Sequence, residues 1–212
     1  MNNLDVVAEE HRRLGPPVAG SVLDFVQNRV IYGEGDDANS FYKVALGVVR
    51  TCRFLSDGRR QIDAFYVAGD VFGLEAGAEH SFSAEAVTGS SIVSYRRRDL
   101  AALTANNEGF SQQLFAYAMQ RLARAQEHAV LLGRRSAVEK VAAFLIDWAA
   151  YSPETTIIAL EMTRQDIADY LGLTVETVSR TFSHLERNAL IERPSARQIR
   201  LTDRKRLHDL SS

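Results

Sequence analysis

Met162-Thr163-Arg164-Gln165-Asp166-Ile167-Ala168-Asp169-Tyr170-Leu171-Gly172-Leu173-Thr174-Val175-Glu176-Thr177-Val178-Ser179-Arg180-Thr181-Phe182-Ser183-His184-Leu185-Glu186-Arg187 is the stretch that decides how this chain folds. Thr163 is a good N-cap, and Asp166 three residues on reinforces the first turn. Ile167, Ala168 and Leu171 give the short helix that follows an apolar face. Gly172 supplies a sharp exit, because glycine takes a left-handed backbone at little cost. Thr174 then caps a second helix. Two short helices joined by a glycine-containing turn match the helix-turn-helix pattern.

The second helix has two distinct faces. Val178, Phe182, Leu185 and Ala189 recur at intervals of 4, 3 and 4 and are expected to share one buried stripe. At ~100° per residue, Glu176, Arg180, Ser183 and Arg187 lie opposite it, with Ser179 on the flank. A charged outward face is often simply solvated. Here an arginine and a glutamate stand one turn apart near the N-terminus, a pairing suited to base edges in a major groove. The guanidinium forks onto guanine O6 and N7, and the carboxylate accepts from cytosine N4. Glu176, Ser179 and Arg180 are therefore the candidate base readers. Thr174, Thr177, Ser183 and Arg187 are candidates for the DNA backbone.

Beyond Asn188, Leu190–Arg193 and Arg197–Leu201 read as two short strands around Pro194-Ser195-Ala196, a β-wing. Arg197 and Arg200 on it, with Arg193, are further candidates for phosphate, which positions a protein without specifying sequence. From Arg180 to Arg206 there are 8 basic residues against 3 acidic ones, whereas residues 1–105 hold 11 against 14. The whole chain carries a net charge of −2, so this basic end stands out. Either it meets phosphate or it is a solvated tail.

Upstream of position 98 the periodicity is that of short strands. Val26–Tyr32, Phe41–Val44, Gly47–Leu55, Gln61–Val67, Phe82–Thr88 and Ser91–Arg96 are predicted strands, with Asp57-Gly58 as a tight hairpin turn. Regular spacing of this kind points to a small barrel or roll. Asp99–Thr104 reads as a short helix. A long one runs from about Asn106 toward Gly133. In it Leu114, Ala118, Leu122, Ala125, Ala129 and Leu132 recur at 4, 4, 3, 4 and 3, a coiled-coil-like stripe about three heptads long. Such a helix can lie along the roll or pair with its copy. The stripe favours pairing, leaving Phe110, Phe115 and Tyr117 to face the roll. Residues 137–151 form another amphipathic helix that stops before Ser152-Pro153. Thr156–Leu160 reads as a strand.

With 212 residues, 46% of them hydrophobic and 25% charged, the chain can bury a sizeable core, which excludes disordered and low-complexity classes. Its single cysteine, Cys52, makes no internal disulfide and by itself holds no iron–sulfur cluster. No apolar run reaches membrane-spanning length, and the N-terminus lacks a secretory signal, so a cytoplasmic location is expected. There is no P-loop, no G-x-S-x-G elbow and no H-E-x-x-H, and the five histidines lack metal-ligand spacing. An enzyme is not expected, nor a bound cofactor or metal.

The segment Gly172–Arg180 resembles the CRP/FNR superfamily of bacterial transcription regulators. Gly69-Asp70-Val71-Phe72-Gly73-Leu74, after the basic hairpin at Arg59-Arg60, is similar to that family's β-roll signature. The likeness runs from about Val22 to Leu207. Glu176, Ser179 and Arg180 form the triplet of the FNR branch, and the lack of N-terminal sensor cysteines makes the chain similar to FixK-type members. The resemblance implies an α+β protein with a cyclic-nucleotide-binding-like roll (1–105), a long dimerisation helix (106–136) and a winged helix-turn-helix (137–212). It also implies a homodimer on a TTGA…TCAA-like palindrome that contacts RNA polymerase, usually to activate. Family members that bind cyclic AMP place an Arg–Ser or Arg–Thr pair on the cyclic phosphate. His80 and Ser81 stand at those positions here, which would deprive the phosphate of its bidentate partner, so the resemblance does not carry cyclic-nucleotide binding over to this chain. The alternative is a ligand-gated sensor of the same fold, taking a cyclic nucleotide or a haem on His80.

Overall fold

The computed structural model describes residues 20–106, 108–134, 136–151 and 156–211. The chain divides into two compact units, one comprising residues 1–53 and 63–124 and the other residues 54–62 and 125–212.

The first unit is a β-roll of two four-stranded antiparallel sheets. Its strands are β1 (Ser21–Phe25), β2 (Val30–Tyr32), β3 (Ser40–Leu46), β4 (Val49–Phe54), β5 (Arg60–Tyr66), β6 (Val71–Phe72), β7 (Ser83–Ala86) and β8 (Ser90–Arg96), except that Phe54 of β4 and Arg60–Ile62 of β5 belong to the second unit. One sheet has the order β1-β8-β3-β6 and the other β2-β7-β4-β5. Tyr32, Val44, Val49, Ala64, Tyr66, Phe72, Ala84 and Ile92, drawn from both sheets, fill the space between them. Cys52 on β4 is fully buried, as cysteines in strands usually are. A 3-10 turn (Arg97–Asp99) leads into α1 (Leu100–Asn106) and then the long helix α2 (Glu108–Arg134).

Two sequence expectations in this unit need correction, and two strands carried no signal. The strand expected over Val26–Tyr32 begins only at Val30, because Asn28 turns the chain with φ 64° and donates its N–H to the Ala86 carbonyl. Asparagine tolerates this left-handed conformation better than other non-glycine residues. β1 and the two-residue β6 had no periodic signal and went unread. Phe115 does not face the roll: it is 69% exposed in the isolated chain. Tyr117 does face it, donating its hydroxyl to the Val71 carbonyl. The Phe110 side chain lies outside the described residues, as does the helix stop at Ser152-Pro153.

The second unit holds the end of α2, α3 (Ala137–Ala149), α4 (Arg164–Leu171), α5 (Val175–Arg187) and α6 (Arg204–Ser211), the last unforeseen from sequence. A three-stranded antiparallel sheet, in the order β10-β11-β9, completes it: β9 (Ile157–Ala159), β10 (Ile191–Ser195) and β11 (Gln198–Leu201). Ser136 and Glu139 cap α3 reciprocally. Trp148 on α3 donates its indole N–H to the Ala159 carbonyl at 2.8 Å, tying helix to sheet. The wing turn sits one or two residues later than expected, since β10 runs through Pro194. Proline is tolerated there because β10 is an edge strand with an irregular register between Glu192 and Ser195.

Ala189 is a further correction. It does not extend the buried stripe of the second helix but follows the C-cap Asn188, exposed, with φ 54°. An alanine held left-handed costs ~1–2 kcal/mol, part of which glycine recovers against its greater freedom when unfolded. Ala189→Gly is expected to raise stability by about 0.5–1 kcal/mol in urea unfolding, at an unchanged slope. A loss of stability would show that the turn is relaxed with alanine in place.

Candidate nucleic-acid interface

The recognition surface is built from two caps and one glycine. Thr163 Oγ1 accepts the Asp166 N–H at 3.1 Å while Asp166 Oδ2 accepts the Thr163 N–H at 2.9 Å, closing a capping box on α4. Gly172 ends that helix at φ 62°, ψ 40°, and its N–H donates to the Ala168 carbonyl. The left-handed turn swings the chain into Thr174, whose Oγ1 accepts the Thr177 N–H at 3.2 Å and starts α5. All three signals were legible in sequence, since each depends on one residue type at one place.

Helix α5 buries Val178, Thr181, Phe182 and Leu185 and exposes Glu176, Ser179, Arg180 and Arg187. Thr177 and Ser183 are half-buried between these faces. Phe182 is fully buried, with the Arg164 guanidinium 3.7 Å over its ring. Burial, and then the charge of Arg193, push Arg164 down to about 10. Sequence reasoning gave Arg164 no role, because a cation over a ring ten or more residues away leaves no local pattern.

The polar face is chemically ready for base edges. The carboxyl of Glu176 is held below its ordinary pKa, first by the backbone N–H of its own residue at the helix N-terminus, then by the Thr174 side chain and the Arg180 charge. At neutral pH it is an acceptor only, as a cytosine amino group requires. Arg180 rests 3.5 Å from Thr177 Oγ1, exposed and one turn from Glu176. Arg187 Nε donates to the Ser183 carbonyl at 3.3 Å, further along the same face.

On the wing, the candidate arginines divide. Arg193 forms an ion pair with Glu186 of α5, and Arg200 with Glu192 across the hairpin at 2.6 Å. Arg197 lies exposed at the wing tip. The two paired arginines hold the wing's shape, and Arg200 must share its charge between Glu192 and any phosphate.

Along α2, Ala118, Leu122, Ala125 and Ala129 of the expected stripe are exposed in the isolated chain, Leu122 by 50%. Phe115, Met119 and Val130, at 69%, 49% and 56%, widen it into an apolar ridge. Leu114 and Leu132 are half-buried, and Leu132 packs against Gly172, where an added Cβ would come within 3.3 Å of its Cδ2.

In the roll, the two positions that match the cyclic-phosphate pair do not fit that group. His80 is 2% exposed, stacked on Tyr32 with ring centroids 3.6 Å apart, and its Nδ1 stands 3.5 Å from Glu75 Oε1. Tyr42 and Phe72 stack in turn on Tyr32. The half-buried Glu75 carboxylate beside the position would repel a phosphate. The Ser81 carbonyl is taken by Arg53. Among the described residues no three His, Cys, Asp or Glu side chains are grouped to hold a metal ion, and no helix is long and apolar enough to cross a membrane.

A capped helix, a left-handed glycine turn, a second helix with its polar face outward and a β-wing define a winged helix-turn-helix DNA-binding protein. The model of the Crp-like helix-turn-helix domain matches residues 139–210, and that of the cyclic nucleotide-binding domain matches residues 22–107. The chain is 44% identical over 214 residues to the nitrogen fixation regulation protein FixK of Azorhizobium caulinodans, covering 98% of this chain and 86% of that protein. It is 40% identical over 186 residues to the transcriptional activatory protein AadR of Rhodopseudomonas palustris, covering 86% of this chain and 73% of that protein. The solved structure of FixK2 from Bradyrhizobium japonicum superposes with a TM-score of 0.87 at 40% identity, covering 92% of this chain and 98% of that one. The chain belongs to the CRP/FNR family of transcription regulators and is similar to its FixK-type members. The ligand-gated alternative is not favoured.

Proposed function

We propose that the protein acts as a homodimeric transcription activator that reads a TTGA…TCAA-like palindrome and contacts RNA polymerase, with no small-molecule effector. The observation that carries this is the exposed Glu176–Ser179–Arg180 face of α5, fixed from below by buried Val178, Phe182 and Leu185. The resemblance to the FNR branch supports the half-site. The apolar ridge on α2 supports the dimer: two recognition helices about 34 Å apart meet half-sites one helical turn apart. The activator reading is supported by AadR, named a transcriptional activatory protein. Filling of the roll by Tyr32, Tyr42, Phe72 and His80 supports effector independence. A role at promoters supports a cytoplasmic location.

Selection of bound duplexes from a random pool, without added ligand, tests the whole reading. Enrichment of TTGA and TCAA half-sites at one fixed spacing is expected. Enrichment only after a cyclic nucleotide or haem is added would favour the sensor reading. Arg197→Ala is expected to weaken binding to specific and scrambled duplexes alike and to lower the salt slope by about 1 per protomer. Filter binding across a salt series measures both, and loss confined to the palindrome would instead make Arg197 a base reader.

A further inference from the structure

Helix α4 is gripped by side chains that lie outside the helix-turn-helix. The hairpin residues Phe54–Ile62, although continuous with the roll strands, belong to the C-terminal compact unit. From that hairpin Arg60 sends Nε to Asp169 Oδ2 at 2.7 Å and Nη2 to Asp166 Oδ1 at 2.5 Å. All three side chains are largely buried: 17% exposed for Arg60, 3% for Asp166 and 11% for Asp169. Burial works against the Arg60 charge, yet the hydrogen bond to Asp169 and the charge of Asp166 outweigh it and hold the guanidinium above its ordinary pKa. Gln61 Nε2 donates to the Tyr170 carbonyl at 3.3 Å. His128 Nε2 stands 2.8 Å from the same oxygen with its ring stacked on Tyr170 at 4.0 Å. Buried Lys140 donates to the carbonyls of Leu171 and Leu132 at 3.2 and 3.1 Å.

The Arg60 contact has a particular mechanical consequence. Asp166 and Asp169 are three residues apart and so project from one face of α4. Asp166 already spends its other oxygen on the Thr163 cap. A planar fork that binds both carboxylates at once fixes the rotation of α4 about its own axis, because turning the helix moves the two acceptors in the same sense and breaks both bonds. A lysine ammonium is a point charge and does not reproduce that fork. One short turn, Gly172-Leu173-Thr174, separates α4 from α5. The rotation of α4 therefore sets the angle at which Glu176 and Arg180 are presented.

We propose that Arg60 is a positioning residue for DNA recognition: from the β4–β5 hairpin, by bridging Asp166 and Asp169, it sets the orientation of the recognition helix and hence the half-site spacing that the protein accepts. This rests on the DNA-binding reading given under Proposed function. The test uses full-length wild type, Arg60→Met, Arg60→Lys and Asp169→Asn. Each is titrated on duplexes carrying TTGA and TCAA half-sites at the preferred spacing, at spacings one base pair longer and shorter, and on scrambled duplex.

Arg60→Met and Asp169→Asn are expected to raise Kd on the preferred spacing about tenfold or more and to narrow its margin over the altered spacings. Binding to scrambled duplex stays within twofold. Arg60→Lys, keeping the charge without the fork, falls between them and wild type. Faster amide hydrogen exchange in α4 and α5 of the free Asp169→Asn protein is expected too, and it reads positioning without DNA. Should Arg60→Met fail to fold, Asp169→Asn and Arg60→Lys decide the matter alone. Wild-type spacing preference and Kd within twofold in those variants overturn the proposal. Failure of the underlying reading looks different: wild type itself then does not distinguish palindrome from scrambled duplex, and the proposal falls with it.

Discussion

Arg180→Ala is expected to lower affinity for the palindrome by about 1–3 kcal/mol per half-site, with little change on scrambled duplex. Arg180 is exposed, stands one turn from Glu176 on α5, and makes a long 3.5 Å contact to Thr177. Its removal leaves the buried face of α5 untouched, so the folded protein keeps its stability within about 0.5 kcal/mol. The loss therefore belongs to the interface with DNA. It should fall on one base pair of each half-site, because a guanidinium fork addresses one guanine. Competition binding against half-sites substituted at each position measures this: the preference at the guanine disappears while the others persist. Equal losses on specific and scrambled duplexes would make Arg180 a phosphate contact and remove the central support for base readout.

The second large effect is expected at Leu122. It is half-exposed in the isolated chain, near the middle of the ridge formed by Phe115, Ala118, Met119, Ala129 and Val130. Leu122→Arg places a charge on that ridge, and in the proposed two-fold assembly it is expected to face its own copy, adding repulsion to desolvation. A weakening of the dimer by about 3 kcal/mol, about a hundredfold in dissociation constant, is expected. Because the position is a surface one in the single chain, the fold should be retained, with a near-wild-type circular dichroism spectrum. Sedimentation equilibrium then shows monomer at concentrations where wild type is dimeric, and tight binding to the palindrome is lost with it. A variant that remains dimeric would place the two-fold contact elsewhere.

Much of the DNA-binding unit was legible because its signals are local. The Thr163 cap, the Gly172 turn, the Thr174 cap and the 4–3 spacing of Val178, Phe182 and Leu185 each depend on residues within one or two helical turns. The stripe failed at Ala189 for a local reason too: Asn188 ends the helix, and no apolar count registers a left-handed alanine. In the roll, β1 and β6 escaped because a five-residue edge strand with exposed side chains and a two-residue strand carry too little alternation to read. Phe115 was assigned the wrong side of α2, since a helix with apolar residues on two faces does not say which face its own chain covers.

The order of residues by itself determined which segments turn, cap and alternate, and so a winged helix-turn-helix with Glu176, Ser179 and Arg180 outward and a β-rich half before it. Those outcomes rest on backbone preferences and on side-chain periodicity, which act over a few residues. Only the tertiary structure decided that His80 closes onto Tyr32 and Glu75, that Arg193 and Arg200 are engaged by carboxylates of the wing and α5, and that Arg60 grips Asp166 and Asp169. His80 lies 48 residues from Tyr32 in sequence, and Arg60 more than 100 from its two partners. Contacts at such range depend on how whole sheets and helices stack, and nothing in the neighbouring residues announces them.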